Sequence, residues 1–344
     1  MRLSDAVRYR HGIKTPKLLD IVKYGYGEFK KHRNSIDWWK GRFLERIILP
    51  ILFRRNNGTF IVNEDWDNLI ILDACRYDMF EAINTIKGKL EFRISRGSCT
   101  EEFLIENFYK EKYPDIVYVT PNPFVDKLLK NKFYKLISVW LEGWDAEKNC
   151  VLPSTMLEYT LDALKKYPDK RFIIHFLQPH SPFLSLEEYY KTEHRGKDIW
   201  DSLIKGEISL REVKKGYREN LKLVLPYVEK LIEVLPGKTV VTSDHGNALG
   251  ERIHPLFPIR FYGHHAIGLR IEALIKVPWL IIDKGERRDI RAGTERDMLK
   301  DRIKRLKKAG KTRWDAPLKV DTKLRSKKND KGGARRKKRV FKKH

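Results

Sequence analysis

Short unbroken apolar runs alternate along this chain with longer segments of helical spacing. A run of four to eight apolar residues between turn residues reads as a strand buried on both faces. Leu69–Leu72, Ile116–Val119, Phe172–Leu177, Thr239–Thr242 and Val277–Ile282 have this form, Leu90–Ile94 reads as a further strand, second along the chain, and Pro121-Asn-Pro123 closes the third. Arg76–Ile86, Thr100–Tyr109, Ser154–Lys166 and Leu210–Val234 carry apolar residues at helical spacing. Pro153 suits a helix entry, Glu101 and Glu102 suit a first turn, and Pro226 predicts a bend in the longest helix. Strands alternating with helices predict an α/β fold, a mainly parallel sheet sandwiched by helices. Residues 1–60 read as helical and basic, with no internal repeat anywhere. The early apolar run Ile47–Phe53 falls far short of the roughly 20 residues that span a membrane. Trp38, Trp39 and Lys40 before it and Arg54 and Arg55 after it suit either an interfacial segment or a helix packed on the main domain.

The chemistry gathers at strand ends, where open α/β sheets place their ligands. Asp73 ends the first strand and the adjacent Asp244 and His245 end the fifth, so a hard oxygen pair and one imidazole can turn to a single divalent ion. The loop Ser95-Arg-Gly-Ser-Cys-Thr100 runs from a strand into a helix and offers Ser98, Cys99 and Thr100 as nucleophiles. A hydroxyl needs a metal or a base before it attacks at neutral pH. Either hydroxyl residue could equally cap the helix. Arg96 and Arg76 are suited to an anion but could as well hold a carboxylate such as Asp78. His175 sits inside a strand and reads as a core residue. Cys75 reads as a small core residue too.

Four blocks in this order resemble the alkaline phosphatase and sulfatase superfamily. They are the strand ending in Asp73, Ser95-Arg-Gly-Ser-Cys-Thr-Glu-Glu-Phe103, His175-Phe-Leu-Gln-Pro-His-Ser-Pro-Phe183, and Ser243-Asp-His-Gly246 with Tyr262-Gly-His264. The likeness spans about Asn68 to Ile282 and is nearest to archaeal sulfatase-like proteins without assigned substrates. It implies Asp73, Asp244 and His245 as metal ligands, and His180 and His264 as groups facing the substrate's anionic oxygens or its leaving group. Arg96 joins them as an anion binder. Ser98 is the first choice of nucleophile by its placement after Gly97, and Thr100 the second by its distance to the helix. No cysteine lies in the Cys-x-Pro-x-Arg or Cys-x-Ala-x-Arg setting that sulfatases convert to formylglycine. The resemblance therefore implies a phosphoester hydrolase or phosphotransferase using a Ser or Thr nucleophile. A sulfuryl hydrolase without formylglycine and a non-catalytic basic binding protein are the alternatives. One metal is implied, since no Asp stands beside His180 as in two-metal relatives, and the imidazole favours Mn or Zn over Mg or Ca. Asn247 stands where many relatives carry Glu.

Charge adds a second theme. The 344 residues carry a net charge of +25, and about +18 of it follows Asp283. That stretch predicts a charged helix over Lys284–Lys308 and a disordered remainder. The expected divisions are residues 1–66, 67–283 and 284–344. The substrate is expected to be an anionic ester, lipid- or glycan-linked among the options, and the tail suits an anionic membrane surface or nucleic acid. Cys75, Cys99 and Cys150 form no paired framework, and residues 1–10 lack a signal-peptide core. A cytoplasmic setting, peripheral to the inner membrane face where the tail engages it, is the matching expectation.

Overall fold

A computed structural model describes residues 56–129, 131–191, 198–255, 257–264, 267–294, 296–300 and 303. The strands are β1 (Asn68–Leu72), β2 (Lys89–Ile94), β3 (Tyr113–Thr120), β4 (Phe133–Ser138), β5 (Trp144–Asp145), β6 (Cys150–Val151), β7 (Arg171–Phe176), β8 (Lys238–Thr242), β9 (Ala248–His254), β10 (Phe257–Gly263) and β11 (Lys276–Asp283). The helices are α1 (Tyr77–Ile83), α2 (Thr100–Phe108), α3 (Pro123–Leu129), α4 (Pro153–Lys166), α5 (Glu187–Lys191), α6 (Ile199–Ile204), α7 (Leu210–Val234) and α8 (Glu272–Ile275). Seven strands form one sheet in the order β2-β11-β8-β1-β7-β3-β4. All run parallel except β11, which is antiparallel to both its neighbours. Each of the six expected strands is present. The sequence pattern did not announce the edge strand β4, the short hairpins β5–β6 and β9–β10, or the helices α3, α5, α6 and α8.

Alternation along the strands builds the two cores. Ile70 and Leu72 of β1, with Phe172, Ile174 and Phe176 of β7, pack with buried residues of α1, α4, α6 and α7. Leu69, Ile71, Tyr118, Ile173 and Val240 point the other way, among buried residues of α2 and α3 and beside Ile61 and Trp66. Both faces are covered, which is why the strands read as continuous apolar runs rather than alternating ones. Truncating one such side chain, Ile71→Ala for example, is expected to cost about 2–5 kcal/mol. Helix α7 begins at a capping box of Ser209 and Glu212 and buries Val213, Tyr217, Leu221, Val224, Val228 and Leu231 along one stripe. It continues through Pro226.

The expected divisions move in two places. Ile61 and Trp66 belong to the core, so residues 56–66 are part of the main domain. Of the helix expected over 284–308, residues 296–300 are helical, whereas residues 284–294 hold no helix. They cross the amino ends of the strands as an extended strap: Arg287 pairs with Asp65 and Asp67, the Arg291 amide donates to Asp169 O at 2.9 Å, and the Gly293 amide donates to Pro114 O at 2.7 Å. Amides and guanidiniums tied to the sheet end in this way are not free to close a helix. The N-terminal run Ile47–Phe53 and the tail beyond residue 303 lie outside the described residues. Among the described residues no helix is long and apolar enough to cross a membrane.

Candidate active site

Register places the acidic pair. β1 lies between β7 and β8, so the carboxyl ends of all three meet. Asp73 leaves β1, and Ser243-Asp244-His245 leaves β8, fully buried. Ala74, between Asp73 and Cys75, adopts the left-handed region at φ 60°. That conformation costs an alanine about 1–2 kcal/mol. It is held by two bonds: the Ala74 amide donates to Asp244 Oδ1 at 2.9 Å, and the Tyr217 hydroxyl donates to Ala74 O. Ser243 Oγ donates to Leu72 O at 2.6 Å and accepts from the Cys75 amide at 2.8 Å, which locks the two strand ends together. Gly246 follows because nothing larger fits: a Cβ there would lie 2.2 Å from Ala273 O.

The predicted ligands converge. His245 Nε2 lies 3.4 Å from Asp244 Oδ2 and 3.7 Å from Asp73 Oδ1. Its Nδ1 is 2.8 Å from Gly246 O, a group that only accepts, so Nδ1 carries the proton and Nε2 turns its lone pair inward. His175 changes place in the account. It is no inert core residue: its ring projects to this centre, with Nε2 3.8 Å from Asp73 Oδ2 and 3.9 Å from Asp244 Oδ2. Tyr118 Oη holds its Nδ1 at 3.0 Å. Asp73, His175 and Asp244 offer ligand atoms within 4.8 Å of one another. Asp73 Oδ1 and His175 Nε2 are buried and have no hydrogen-bond partner. Two orphaned polar atoms facing a common gap, lined by carboxylates and imidazoles, fit a divalent ion of the Zn or Mn type.

The electrostatics agree. Burial, reinforced by the charge of Asp244, pushes Asp73 well above the usual carboxylate range, against a hydrogen bond from Asn122. Burial works on Asp244 in the same direction, but the His245 and His175 rings and donors from Ala74 and Thr100 outweigh it and hold it low. Burial brings His175 down to about 4, the Asp244 charge opposing and the His245 and His180 rings adding. A buried acid pair with no Lys or Arg beside it has lost hydration without a fixed counter-charge, which a cation would supply.

The nucleophile candidates separate. Thr100 Oγ1 donates to Asp244 Oδ2 at 2.8 Å and lies 3.2 Å from His245 Nε2. It is the first residue of α2, and the capping position belongs to Cys99, whose side chain makes no cap bond. Ser98, the first choice from sequence, points elsewhere. Its hydroxyl donates to Glu102 Oε2 at 2.8 Å and accepts from the Gly268 amide at 3.1 Å. Glu102 Oε2 also accepts the Ser98 amide at 2.9 Å and the Gly268 amide at 3.2 Å, so it clamps the turn that carries Thr100. Of the two hydroxyls, Thr100 is the one that the fold sets beside Asp244 and His245. Gly97 serves packing, since a Cβ there would lie 2.5 Å from Phe103 Cβ. Burial, with the charge of Glu102 behind it, pushes the Cys99 thiol far up.

Arg96 does not reach the centre. Its guanidinium donates to Gly58 O and Glu106 Oε2, each at 2.9 Å, and stacks on Phe60. Arg76 likewise holds Asp78 and Glu251. His180 and His264 do meet, with Nε2 atoms 3.3 Å apart, and the His264 ring lies 4.8 Å from that of His245. His180 Nδ1 faces Ser181 O at 2.5 Å and His264 Nδ1 faces Asn247 Oδ1 at 2.6 Å. Both Nδ1 atoms therefore carry protons, and the facing Nε2 atoms present lone pairs that one shared proton or a ligand must bridge. Asn247 is thus the residue that orients His264. Asn122 was missed: its Nδ2 donates to Asp73 Oδ2 at 3.3 Å. It sits between two prolines at the end of β3, a strand end that the same rule would have flagged. His175 could have been found by parity, since in β7 it shares a face with Ile173 rather than with the α7 side.

No family model matches the chain, and no curated protein matches it. Solved structures do. The soluble domain of lipooligosaccharide phosphoethanolamine transferase A from Neisseria meningitidis aligns at 15% identity and a TM-score of 0.42, over 62% of this chain and 75% of that one. The integral membrane form of that transferase aligns at 13% identity and a TM-score of 0.45 over 76% of this chain, and this chain covers only 59% of its length. A protein of the alkaline phosphatase superfamily from Vibrio parahaemolyticus aligns at 13% identity and a TM-score of 0.35, over 67% of this chain and 63% of that one.

Proposed function

We propose that this chain is a metal-dependent phosphoester transferase or hydrolase in which Thr100 is the nucleophile. The observation that carries the reading is the Thr100 hydroxyl set 2.8 Å from Asp244 and 3.2 Å from His245 at the start of α2, beside two orphaned ligand atoms. Asp73, Asp244 and His245 would hold the ion together with Thr100 Oγ1, and His175 faces the same gap. A bound divalent ion would lower the pKa of the hydroxyl and offset charge on the transferred group.

The chain's own residues supply the rest. Thr100 Oγ1 forms a bond to phosphorus as its proton passes toward Asp244, and the bond from phosphorus to the leaving oxygen breaks. The first-turn amides of α2 face the transferred oxygens, where a helix start favours negative charge. The proton between His180 and His264 goes to the leaving alkoxide; the same pair then takes a proton from the water or alcohol, whose oxygen bonds to phosphorus as the bond from Thr100 Oγ1 to phosphorus breaks and Thr100 recovers its proton from Asp244. The clamp of Glu102 on Ser98 keeps the Thr100 turn in place, which matters because misplacement by about 1 Å can cost 10²-fold.

The test is a pair of variants assayed on an aryl phosphate and an aryl phosphodiester with Mn or Zn supplied. Thr100→Ala is expected to lose turnover by about 10³-fold or more and to yield no phosphoryl adduct by mass spectrometry. Ser98→Ala is expected to keep the adduct and retain measurable turnover. An adduct on Ser98, or full activity of Thr100→Ala, would end the assignment, and turnover of an aryl sulfate in place of both phosphates would move the reading to sulfuryl transfer.

A further inference from the structure

Helix α7 buries a stripe in the core it shares with β1 and β7, and two residues on that stripe are polar. Tyr217 and Asn220 stand three residues apart on one face of the helix and are both fully buried. Phe and Leu would fill such positions without asking for hydrogen bonds, whereas a buried phenol or amide is costly unless its polar atoms are met. Both are met by loops of the reaction centre. The Tyr217 hydroxyl donates to Ala74 O. Asn220 Nδ2 donates to His180 O at 3.1 Å and to Pro182 O at 2.9 Å, and its Oδ1 accepts the Leu184 amide at 2.8 Å. Two carbonyls and one amide fix which way this side-chain amide faces.

Each tie acts on a working side chain through its backbone. The Cys75 amide donates to Leu72 O at 3.2 Å and closes a turn whose third residue, Ala74, has φ 60°. Glycine is the usual occupant of that position. With alanine there, the turn is kept from relaxing by a bond on each side of it: Tyr217 on the carbonyl, and Asp244 Oδ1 on the amide at 2.9 Å. The His245 amide donates to the same Oδ1 at 2.9 Å, so Oδ2 is left for Thr100 and an ion. In the other loop, the His180 amide donates to Asp73 O at 3.1 Å. The residues after it lie against α7 so closely that a Cβ on Gly216 would come 2.9 Å from Phe183 Cβ. The metal turn and the His180 loop are thus bonded to each other, and each is bonded separately to one helix.

Resting on the metal-dependent phosphoester reading, we propose that α7 is the alignment spine of the centre, with Tyr217 as the positioning residue of the metal turn and Asn220 as that of the His180 loop. Tyr217 acts through Ala74 on the aim of Asp73 and Asp244, and therefore on metal affinity. Asn220 acts through the His180 carbonyl on the aim of the His180–His264 pair, and therefore on protonation of the leaving group. A helix packed along a buried stripe is a stiffer mount than either loop, and displacement of a reacting group by about 1 Å is enough to matter.

The experiment separates two signatures that a merely structural role would not split. Affinity for Mn and Zn is measured by calorimetry, and turnover on a series of substituted phenyl phosphates at saturating metal, in full chains whose melting shows them folded. Tyr217→Phe, which keeps the ring, is expected to weaken metal binding about tenfold or more and to leave the dependence on the leaving phenol unchanged. Ala74→Gly added to that variant is expected to restore affinity to within about threefold, because glycine holds the turn unaided. Asn220→Ala is expected to keep metal affinity within about twofold and to slow the poorest leaving phenol about tenfold more than para-nitrophenol. Asn220→Ser takes its place should it fold poorly. Tyr227→Phe, elsewhere on α7, is the control and is expected to change neither. If Tyr217→Phe folds only together with Ala74→Gly, the rescue is read as recovered melting and supports the same link. The proposal is overturned if folded Tyr217→Phe binds metal as the natural protein does, if Ala74→Gly rescues nothing, or if the Tyr217 and Asn220 variants lose affinity and turnover in one pattern. A natural chain that binds no divalent ion would sink this proposal and the proposed function together. One that binds metal and cleaves no phosphoester would sink the proposed function alone, and the affinity measurements would still decide the role of Tyr217.

Discussion

The two ends of β1 carry the same kind of residue and opposite arrangements. At the amino end, Asp65 and Asp67 meet Lys238 and Arg287, and every oxygen of both carboxylates has a donor. At the carboxyl end, five residues along the strand, Asp73 and Asp244 meet imidazoles, amides and a hydroxyl but, among the described residues, no Lys or Arg. Asp65 is drawn down to about 2 by Arg287 first and Lys238 second, while Asp73 is pushed up. A saturated cluster is finished and serves stability. A buried acid pair left with an orphaned oxygen is kept open for something that arrives later, which is the physical signature that separates a working site from an ion network.

The comparison breaks most visibly if one acid at each end is neutralised. Asp73→Asn is expected to reduce phosphoester turnover by about 10³-fold or more, because it removes a ligand charge. In metal-free protein the same change is expected to raise stability by about 1–2 kcal/mol, since it relieves a buried, repelled carboxylate. Asp67→Asn is expected to do the reverse: turnover of the folded fraction near natural, and stability lower by about 1–3 kcal/mol with Arg287 left short of a partner. Melting temperatures with and without metal, set beside the turnover of each variant, read all four outcomes. Equal destabilisation by both changes would mean that the carboxyl end is one more structural network.

Much of this contrast could be read from the sequence, and the part that could not has a physical cause. The meeting of Asp73, Asp244 and His245 was legible because strand ends converge in any open parallel sheet, whereas His180 and His264, the latter after β10 of a separate hairpin, entered through the family resemblance. Five of the six expected strands were legible because two-sided burial leaves apolar runs, and the edge strand β2 was legible by the alternation of Leu90, Phe92 and Ile94 with Glu91 and Arg93. β4 escaped because it is an edge strand, with only Phe133 and Leu136 buried. The β9–β10 hairpin escaped because charged residues and a glycine break its alternation. Ser98 was preferred over Thr100 because local sequence cannot say which hydroxyl a helix start turns toward a distant carboxylate. The partners that decide it, Glu102 for Ser98 and Asp244 for Thr100, are set by tertiary packing. Arg96 was offered to an anion for the same reason: an arginine advertises charge but not which carboxylate, here Glu106, will claim it.

Metal and pH sharpen the carboxyl end. Mn or Zn at about a hundred times its dissociation constant is expected to add about 2.7 kcal/mol, or roughly 5–10 °C in melting temperature. The gain should vanish in Asp73→Asn and persist in Asp67→Asn. In metal-free protein His175 is held at about 4, below its ordinary 6.5. A depressed value means that the unfolded chain binds the extra proton, so this contribution is full above about pH 6.5 and is lost as pH falls toward 4. Asp73, displaced upward, works the other way, its contribution present at low pH and lost as pH rises through its folded value. A net loss of about 1–3 kcal/mol between pH 6.5 and 4 is expected, and His175→Gln should flatten it. An unchanged slope in that variant would remove His175 from the account.

The smallest effects are expected from the end of the chain, where two truncations divide the basic segment by what it touches. Ending the chain after Asp283 removes Arg287, Arg288 and the amides of Arg291 and Gly293 from the amino end of the sheet. That change is expected to lower the melting temperature by about 5–10 °C, since several buried or half-buried acceptors lose their donors together. Ending it after Pro317 leaves the strap whole. Turnover of a small aryl ester and the melting temperature are then expected to stay within experimental error of the full chain, because neither the centre nor the strap is touched. Binding to anionic vesicles or to nucleic acid is expected to weaken, and the difference between the two chains should shrink as salt rises, as for any screened attraction that releases counterions. If the longer truncation alone lowered the melting temperature or the metal content, the tail would have to be joined to the fold, and the amino end of β1 would no longer be the finished cluster that sets off the open one.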